Sequence, residues 1–185
     1  MTTMATPFFR RLFSRPEKPA VETTETRADL GDAEAQFSLG VKFAREGATQ
    51  DYPQAAQWYL KAADQSHTLA QFNLAIMYAA GQGVARDAVK SMGWMQKAAD
   101  LGDAGAQYQV GMRHHRASLG ATPEAALESR ILAYKWLELS ATQGYRGSEA
   151  ASAFVALSMT RADVADGRCR IAAFVPTQAS RSEVA

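Results

Sequence analysis

The sequence predicts an all-α protein, a right-handed α-solenoid of about three antiparallel helix pairs. A half-repeat caps its N-terminal end and further helices cap its C-terminal end. Two observations predict this fold. Short motifs recur every 35 to 42 residues along the 185-residue chain, and the apolar residues inside each repeat have helical spacing. Because such a period is typical of stacked helix pairs, we expect one supersecondary unit that repeats along the chain.

The repeating motifs are a tryptophan, an Ala-Gln-aromatic triplet, and an Ala-Ala or Ser-Ala pair near the end of a helix. The tryptophans are Trp58, Trp94 and Trp136, the triplets begin at Ala35, Ala70 and Ala106, and the pairs begin at Ala62, Ala98 and Ser140. All three motifs keep nearly the same phase relative to each other. We therefore treat the repeat as a property of the fold.

Each unit divides into a helix A and a helix B. We expect helix A at 33–45, 68–80 and 104–116 and helix B at 53–64, 88–100 and 130–142, within units 32–66, 67–102 and 103–146. In the second unit, Ala70, Leu74 and Tyr78 fall on one helical stripe. Gly81 suits a left-handed helix end, and Asp87 suits the N-cap of the following helix.

Partial repeats are predicted at both ends of the array. Residues 28–36 nearly repeat residues 99–107, so the chain from about residue 22 begins with the last part of a helix B. Residues 147–175 continue the pattern weakly as a degenerate cap. Its last helix, 161–174, is expected to start with Thr160 as N-cap and Asp163 at N3, and to end before Pro176. The predicted organisation is a flexible arm at 1–21, a repeat domain at 22–175 and a disordered tail at 176–185.

The second unit carries the pattern in its fullest form. Its motif residues are Ala70, Leu74, Tyr78, Gly81, Gly83, Val84, Asp87, Trp94, Lys97, Ala98, Ala99 and Gly102. This pattern resembles the Sel-1-like repeat family, relatives of the tetratricopeptide repeats, over residues 28 to about 147. The resemblance implies a superhelical scaffold that binds a protein or peptide partner. The third unit departs most, and we expect His114 to fill the core position that Tyr78 fills in the second.

The third unit is six residues longer than the second between its two helices. Thr122 and Pro123 suit the N-cap and N1 positions, so helix B can begin early, near 123, with Arg113 to Gly120 as a loop at the edge of a groove. The alternative is that the whole insertion, Arg113–Arg130, is a binding element. We favour the early helix start, with partner contacts from His115 and Arg116.

Partner contacts are predicted on the concave face, which helices A line in stacked helix pairs. The candidates are Lys42, Arg45, Asn73, Met77, Met112 and Arg113. This basic and methionine-containing set suits an apolar or acidic peptide. Phe37, Phe72 and Tyr108 recur at one phase of helix A, and we interpret them as packing between repeats.

Composition and motifs argue against several function classes. The net charge of +1 does not favour nucleic acid as a partner. Catalytic and cofactor-binding signatures are not found, so we expect a non-enzymatic protein without a cofactor. We expect no metal site, because the adjacent His114 and His115 point about 100° apart on a helix. The single Cys169 is far from them in sequence. We expect a monomer.

An alternative function rests on the N-terminal arm. Its aromatic and basic patch, Phe8–Phe13, suits the anchor of a membrane-proximal regulatory subunit. Lipid contact by such a patch usually needs a longer amphipathic helix or a second signal, so we favour the adaptor. Arg10-Arg11 is followed by Ser14–Pro19 without an apolar run, which argues against export. Together with the single cysteine, this leads us to expect a cytoplasmic location.

Overall fold

The computed structural model describes residues 23–45 and 50–177. The helices in that part are α1 (Thr24–Asp29), α2 (Ala33–Ala44), α3 (Tyr52–Asp64), α4 (Thr68–Ala80), α5 (Ala88–Asp100), α6 (Ala104–Ser118), α7 (Pro123–Thr142), α8 (Ser148–Ala156) and α9 (Arg161–Ala172). The predicted all-α solenoid is confirmed. The arm at 1–21 and the tail from 178 onwards lie outside the described residues.

The helices pack in the order of the chain. Helices α2 and α3 form unit 1, α4 and α5 form unit 2, and α6 and α7 form unit 3. Helix α1 packs on α2, as expected for the last part of a helix B that has no helix A of its own. Helices A of neighbouring units also touch, α2 with α4 and α6 with α8. Each unit therefore buries its apolar face against the units beside it.

Acidic N-caps define where most helices of the array begin. The side chains of Asp32, Asp51, Asp87 and Asp103 each accept a hydrogen bond from a backbone N–H of the first turn. His67 does the same for α4, where its Nδ1 accepts from the Ala70 N–H at 3.3 Å. Each such cap stabilises its helix by about 1 kcal/mol. Because capping is local, the position of Asp87 could be predicted from the sequence.

Rings on helices A link consecutive units. Phe37 of unit 1 stacks on His67 at the start of unit 2, with ring centroids 4.6 Å apart. Phe72 packs against the buried cluster that contains Ala98, Ala106 and Val110. The ring centroid of Tyr108 lies 5.4 Å from that of Tyr145, a residue that follows the end of α7. The interpretation of these three rings as packing between repeats is confirmed.

The predicted loop from Arg113 to Gly120 is wrong. Helix α6 continues to Ser118, and only residues 119–122 connect it to α7. No glycine or proline lies between Gly111 and Gly120, and the Ser118 hydroxyl donates to the His115 carbonyl at 2.7 Å. Helix α7 does begin at Pro123, as favoured, although the Thr122 side chain makes no capping hydrogen bond. The insertion therefore lengthens both helices of unit 3.

The C-terminal cap departs from the repeat geometry. Helix α9 packs on α7, with Gly167 against the ring of Tyr134. Its predicted capping box is present: the Asp163 N–H donates to the Thr160 hydroxyl at 3.2 Å, and the Thr160 N–H donates to the Asp163 carboxylate at 2.8 Å. The helix ends at Ala172, two residues before the predicted end. Residues 173–177 then run back over units 2 and 3.

Candidate functional site

The residues predicted for the concave face do not form one exposed surface. Met77 is 5% exposed and belongs to the core, so its assignment as a groove residue is wrong. It lies three positions after the buried Leu74 and therefore faces the same side of α4. Met112 is half-buried and packs against the cluster of Tyr134, Leu137 and Val155. Met77 is therefore closed to a partner, and Met112 exposes only part of its side chain.

The polar candidates are more scattered. Asn73 and Arg113 are half-buried, and the Arg113 guanidinium donates to Gln96 Oε1 at 3.5 Å. Lys42 and Arg45 are exposed near the end of α2. The two insertion candidates lie on α6: Arg116 is exposed, whereas His115 is half-buried with its ring edge-on to Phe154 at 5.7 Å. The exposed members of the predicted set are thus Lys42, Arg45 and Arg116.

Lys42 lines a groove that the repeat pattern of the sequence did not predict. The groove has a volume of about 260 Å³ and lies between α1, α2 and α3. Trp58 forms part of its wall, and Lys61 Nζ lies 3.8 Å from the centroid of the Trp58 ring. We call it the first groove. The signal was present in the sequence as a lysine three residues after the tryptophan, a spacing that places both on one helix face.

A second groove occupies the same position one unit later. It has a volume of about 370 Å³ and lies between α3, α4 and α5. Its lining residues are Leu60, Tyr78, Lys90, Gly93, Trp94 and Lys97. Lys97 Nζ lies 4.0 Å from the centroid of the Trp94 ring, as Lys61 does at Trp58. The two grooves are therefore repeats of one arrangement, a half-buried indole under an ammonium group.

In unit 3, another side chain of the protein lies against the corresponding tryptophan, Trp136. Trp136 is 5% exposed. The Phe174 ring meets it edge-on, with centroids 5.4 Å apart and planes at 75°. Lys135 Nζ lies 4.5 Å from the Trp136 centroid and 5.1 Å from that of Phe174. The chain's own C-terminal segment thus covers the third indole, and partial burial lowers the pKa of Lys135.

The two open grooves differ in charge. In the first, Lys42 Nζ pairs with Glu25 at 2.8 Å, and this hydrogen bond holds the pKa of Glu25 below its usual value. In the second, the position that corresponds to Glu25 carries Leu60. Lys90 and Lys97 are its charged lining residues. The second groove is therefore basic and apolar, whereas the first contains acidic and basic groups.

His114 occupies a half-buried position on α6, which makes unfolding sensitive to pH. Burial, with a smaller contribution from the charge of Arg113, lowers its pKa below 6.5. The unfolded chain binds the proton more readily, so this contribution to stability is complete above pH 6.5 and is lost as the pH falls below it. His114→Tyr gives unit 3 the residue that unit 2 has at Tyr78. We expect this variant to lose less stability than the wild type as the pH falls below 6.5. Urea midpoints measured from about pH 8 to 5 would check it; parallel profiles for both proteins would contradict it.

Metal sites and membrane-spanning helices are two further possibilities for the described part of the chain. Within 23–45 and 50–177, no three His, Cys, Asp or Glu side chains lie close enough together to hold a metal ion. None of the helices in those ranges is long and apolar enough to cross a membrane. The aromatic and basic patch Phe8–Phe13 lies outside the described residues, so the alternative that rests on it stays a prediction.

Solved structures with the same architecture support the assignment of the fold. A protective antigen present in uropathogenic Escherichia coli strains, which displays an SLR fold, aligns with a TM-score of 0.68 and 26% identity. The alignment covers 84% of this chain, which spans only 32% of that protein. A Sel1 repeat protein from Oxalobacter formigenes aligns with a TM-score of 0.59 and 33% identity over 70% of this chain and 93% of that one. No curated protein matches the sequence.

The family described as Sel1 repeat matches residues 33–67, 68–103 and 104–145, which are units 1, 2 and 3. Proteins with these repeats are generally non-enzymatic and act as scaffolds for protein–protein interaction. The three matched segments cover more than half of the sequence and coincide with the helix pairs of the structure. The chain belongs to the Sel1 repeat family.

Proposed function

We propose that this protein is an interaction scaffold that holds an extended segment of a protein partner in the first and second grooves. The observation that carries the proposal is the contact of Phe174 with Trp136. It shows that an aromatic side chain from a non-helical segment fits on the indole of this repeat. Trp58 and Trp94 occupy the same register, are half-buried, and each has a lysine ammonium over its ring.

The chemistry of the grooves favours a particular kind of segment. An aromatic or large aliphatic side chain of the partner would pack on each indole, as Phe174 does on Trp136. Lys90 and Lys97 in the second groove favour an acidic residue next to that anchor. Because aromatic anchors in partly enclosed pockets dominate interface energies, the indoles would supply most of the affinity.

In this proposal the contact surface consists of the first and second grooves and not of the predicted concave face. Met77 and Met112 pack in the core, while Lys42 lines the first groove. Arg45 and Arg116 remain candidates on helices A. A partner that used the concave face would contact these two arginines, whereas a partner in the grooves would contact Lys61 and Lys97.

The test compares charge reversals at the two surfaces. We expect Lys61→Glu/Lys97→Glu to weaken partner binding about tenfold, because it removes the ammonium above each indole and repels an acidic segment. Arg146→Glu/Arg168→Glu makes the same change in charge at exposed positions outside both grooves and serves as the matched control. Partners captured by each variant from lysate would be quantified by mass spectrometry, with circular dichroism to verify the fold.

The outcomes separate the two surfaces. A partner retained by the control and lost with the groove variant supports the proposal. An identical partner list for the wild type and the groove variant contradicts it. Loss of the partner with Arg45→Glu/Arg116→Glu and not with the groove variant would instead place the contact on helices A.

A further inference from the structure

Another cavity lies where α3 and α5 end, outside the tryptophan grooves. It has a volume of about 260 Å³, and its lining includes Asp64, Gln71, Lys97, Asp100, Leu101 and Thr177. We call it the glutamine cavity. Lys97 lines both this cavity and the second groove, so a segment lying in that groove can continue into it.

A pair of glutamines closes the corresponding place in units 1 and 3. In unit 1, buried Gln36 donates from Nε2 to the Ala28 carbonyl at 3.0 Å and accepts at Oε1 from Gln65 Nε2 at 2.8 Å. In unit 3, Gln107 Oε1 accepts from Gln143 Nε2 at 2.9 Å. Gln65 and Gln143 are the C-cap residues of α3 and α7. In units 1 and 3, helix B thus donates one carboxamide N–H to the glutamine of its own helix A.

Unit 2 has the first glutamine and lacks the second. Gln71 Nε2 donates to the Ala63 carbonyl at 3.0 Å, as in the other units. The C-cap residue of α5 is Leu101, which has nothing to donate from its side chain. Gln71 is 3% exposed, and within 23–45 and 50–177 its Oε1 has no hydrogen-bond partner. A buried acceptor without a donor is costly, so this oxygen is suited to a donor from outside the unit.

We propose that the glutamine cavity is a subsite for a primary carboxamide, the side chain of an asparagine or glutamine in the partner segment. The proposal rests on the proposed function and names a residue type of that segment. Its N–H group donates to Gln71 Oε1, as Gln65 and Gln143 do in the other units. A carboxamide also carries a second N–H and a carbonyl, and the lining residues Asp100 and Lys97 are of the accepting and donating types that suit them.

The chain itself contains a competing source of the same group. Thr177 lines the cavity, and its N–H donates to the Asp100 carbonyl at 2.9 Å. Gln178 follows it in the sequence. The continuity of the cavity with the second groove through Lys97 favours the partner as the source, and a variant at Gln178 separates the two.

The test is a titration of the full-length ¹⁵N-labelled protein with N-acetylglutamine N′-methylamide, followed by NMR. N-acetylmethionine N′-methylamide, which has the same backbone and no carboxamide side chain, is the matched probe. We expect the glutamine probe to shift the Gln71 side-chain and Leu101 amide resonances with a Kd of about 1 mM. Leu101→Gln should weaken binding at least about tenfold, because its own carboxamide reaches Gln71 as in units 1 and 3. Gln178→Ala should bind like the wild type.

Three results would overturn the inference. They are equal shifts with the methionine probe, undiminished binding to Leu101→Gln, and binding that is seen only with Gln178→Ala, which would assign the cavity to the chain's own carboxamide. The titration uses no partner, so its result is independent of the groove experiment. An unchanged partner list for the Lys61→Glu/Lys97→Glu variant, together with an intact titration, would overturn the proposed function alone.

Discussion

Gly83→Ala is expected to lower the free energy of unfolding by about 3 kcal/mol or more. Gly83 has φ of 69°, in the left-handed region, where an alanine costs about 1–2 kcal/mol. A Cβ at this position would also overlap the backbone carbonyl of Tyr52, the first residue of α3. Backbone cannot move aside as a side chain can, so the loop of unit 2 would lose its contact with unit 1. Urea unfolding followed by circular dichroism measures the effect.

Gly81→Ala is the matched control, because Gly81 lies in the same loop with φ of 73°. A Cβ added at Gly81 would lie 3.3 Å from Arg86 Cβ, its nearest neighbour, and a small shift of the Arg86 side chain relieves this contact. This variant should show the backbone strain without the overlap, a loss of about 1–2 kcal/mol. Equal losses in the two variants would mean that the contact with Tyr52 contributes nothing.

Gly40→Ala is expected to destabilise the protein by about 2 kcal/mol through overpacking. An added Cβ would lie 2.5 Å from Cδ1 of Tyr59, whose ring is buried between α2 and α3. At the corresponding positions of unit 2 the chain carries Ala75 and Met95. In unit 2 the larger Ala75 is thus paired with a flexible methionine. In unit 1 the rigid ring of Tyr59 is paired with glycine.

The residues of unit 2 provide a test of whether a methionine at position 59 relieves the overpacking caused by an alanine at position 40. Tyr59→Met alone should lose packing, while Gly40→Ala/Tyr59→Met should be more stable than the sum of the single effects predicts. The coupling free energy from a double-mutant cycle is expected to exceed about 1 kcal/mol. Additive losses would show that the Gly40–Tyr59 contact does not set the spacing of α2 and α3.

The parts of the fold that the sequence predicts well are those set by neighbouring residues. Helical spacing in the second unit, the Asp87 N-cap and the Thr160–Asp163 capping box all depend on a few adjacent positions, and the structure has them where expected. The length of α6 was missed for a different reason. Its last turn contacts the C-terminal cap, where the His115 ring lies edge-on to Phe154 of α8, and contacts between residues so far apart leave no local signal in the sequence.

The candidate site was less predictable, because its residues serve packing as well. The tryptophan and the lysine three residues later recur in units 1 and 2, as Trp58 with Lys61 and Trp94 with Lys97. Such periodicity is as typical of core packing as of a binding groove. What identifies the grooves is the contrast with Trp136, and that contrast depends on the return of Phe174 across the array. A contact between residues 38 positions apart leaves no periodic trace in one sequence. Gln71 Oε1, which has no hydrogen-bond partner within 23–45 and 50–177, depends in the same way on which donor reaches it.

The packing of α9 on α7 has a consequence for self-assembly. A repeat array whose last unit copied the others would present, at its end, the same edge that each unit presents to its neighbour, and open-ended contacts of that kind generate filaments. Helix α9 lies instead against Tyr134 through Gly167, and its Arg170 forms an ion pair with Glu128 of α7. Helix α9 thereby covers the α7 side of the last unit with a surface unlike that of a repeat unit, which disfavours the stacking of another unit against α7.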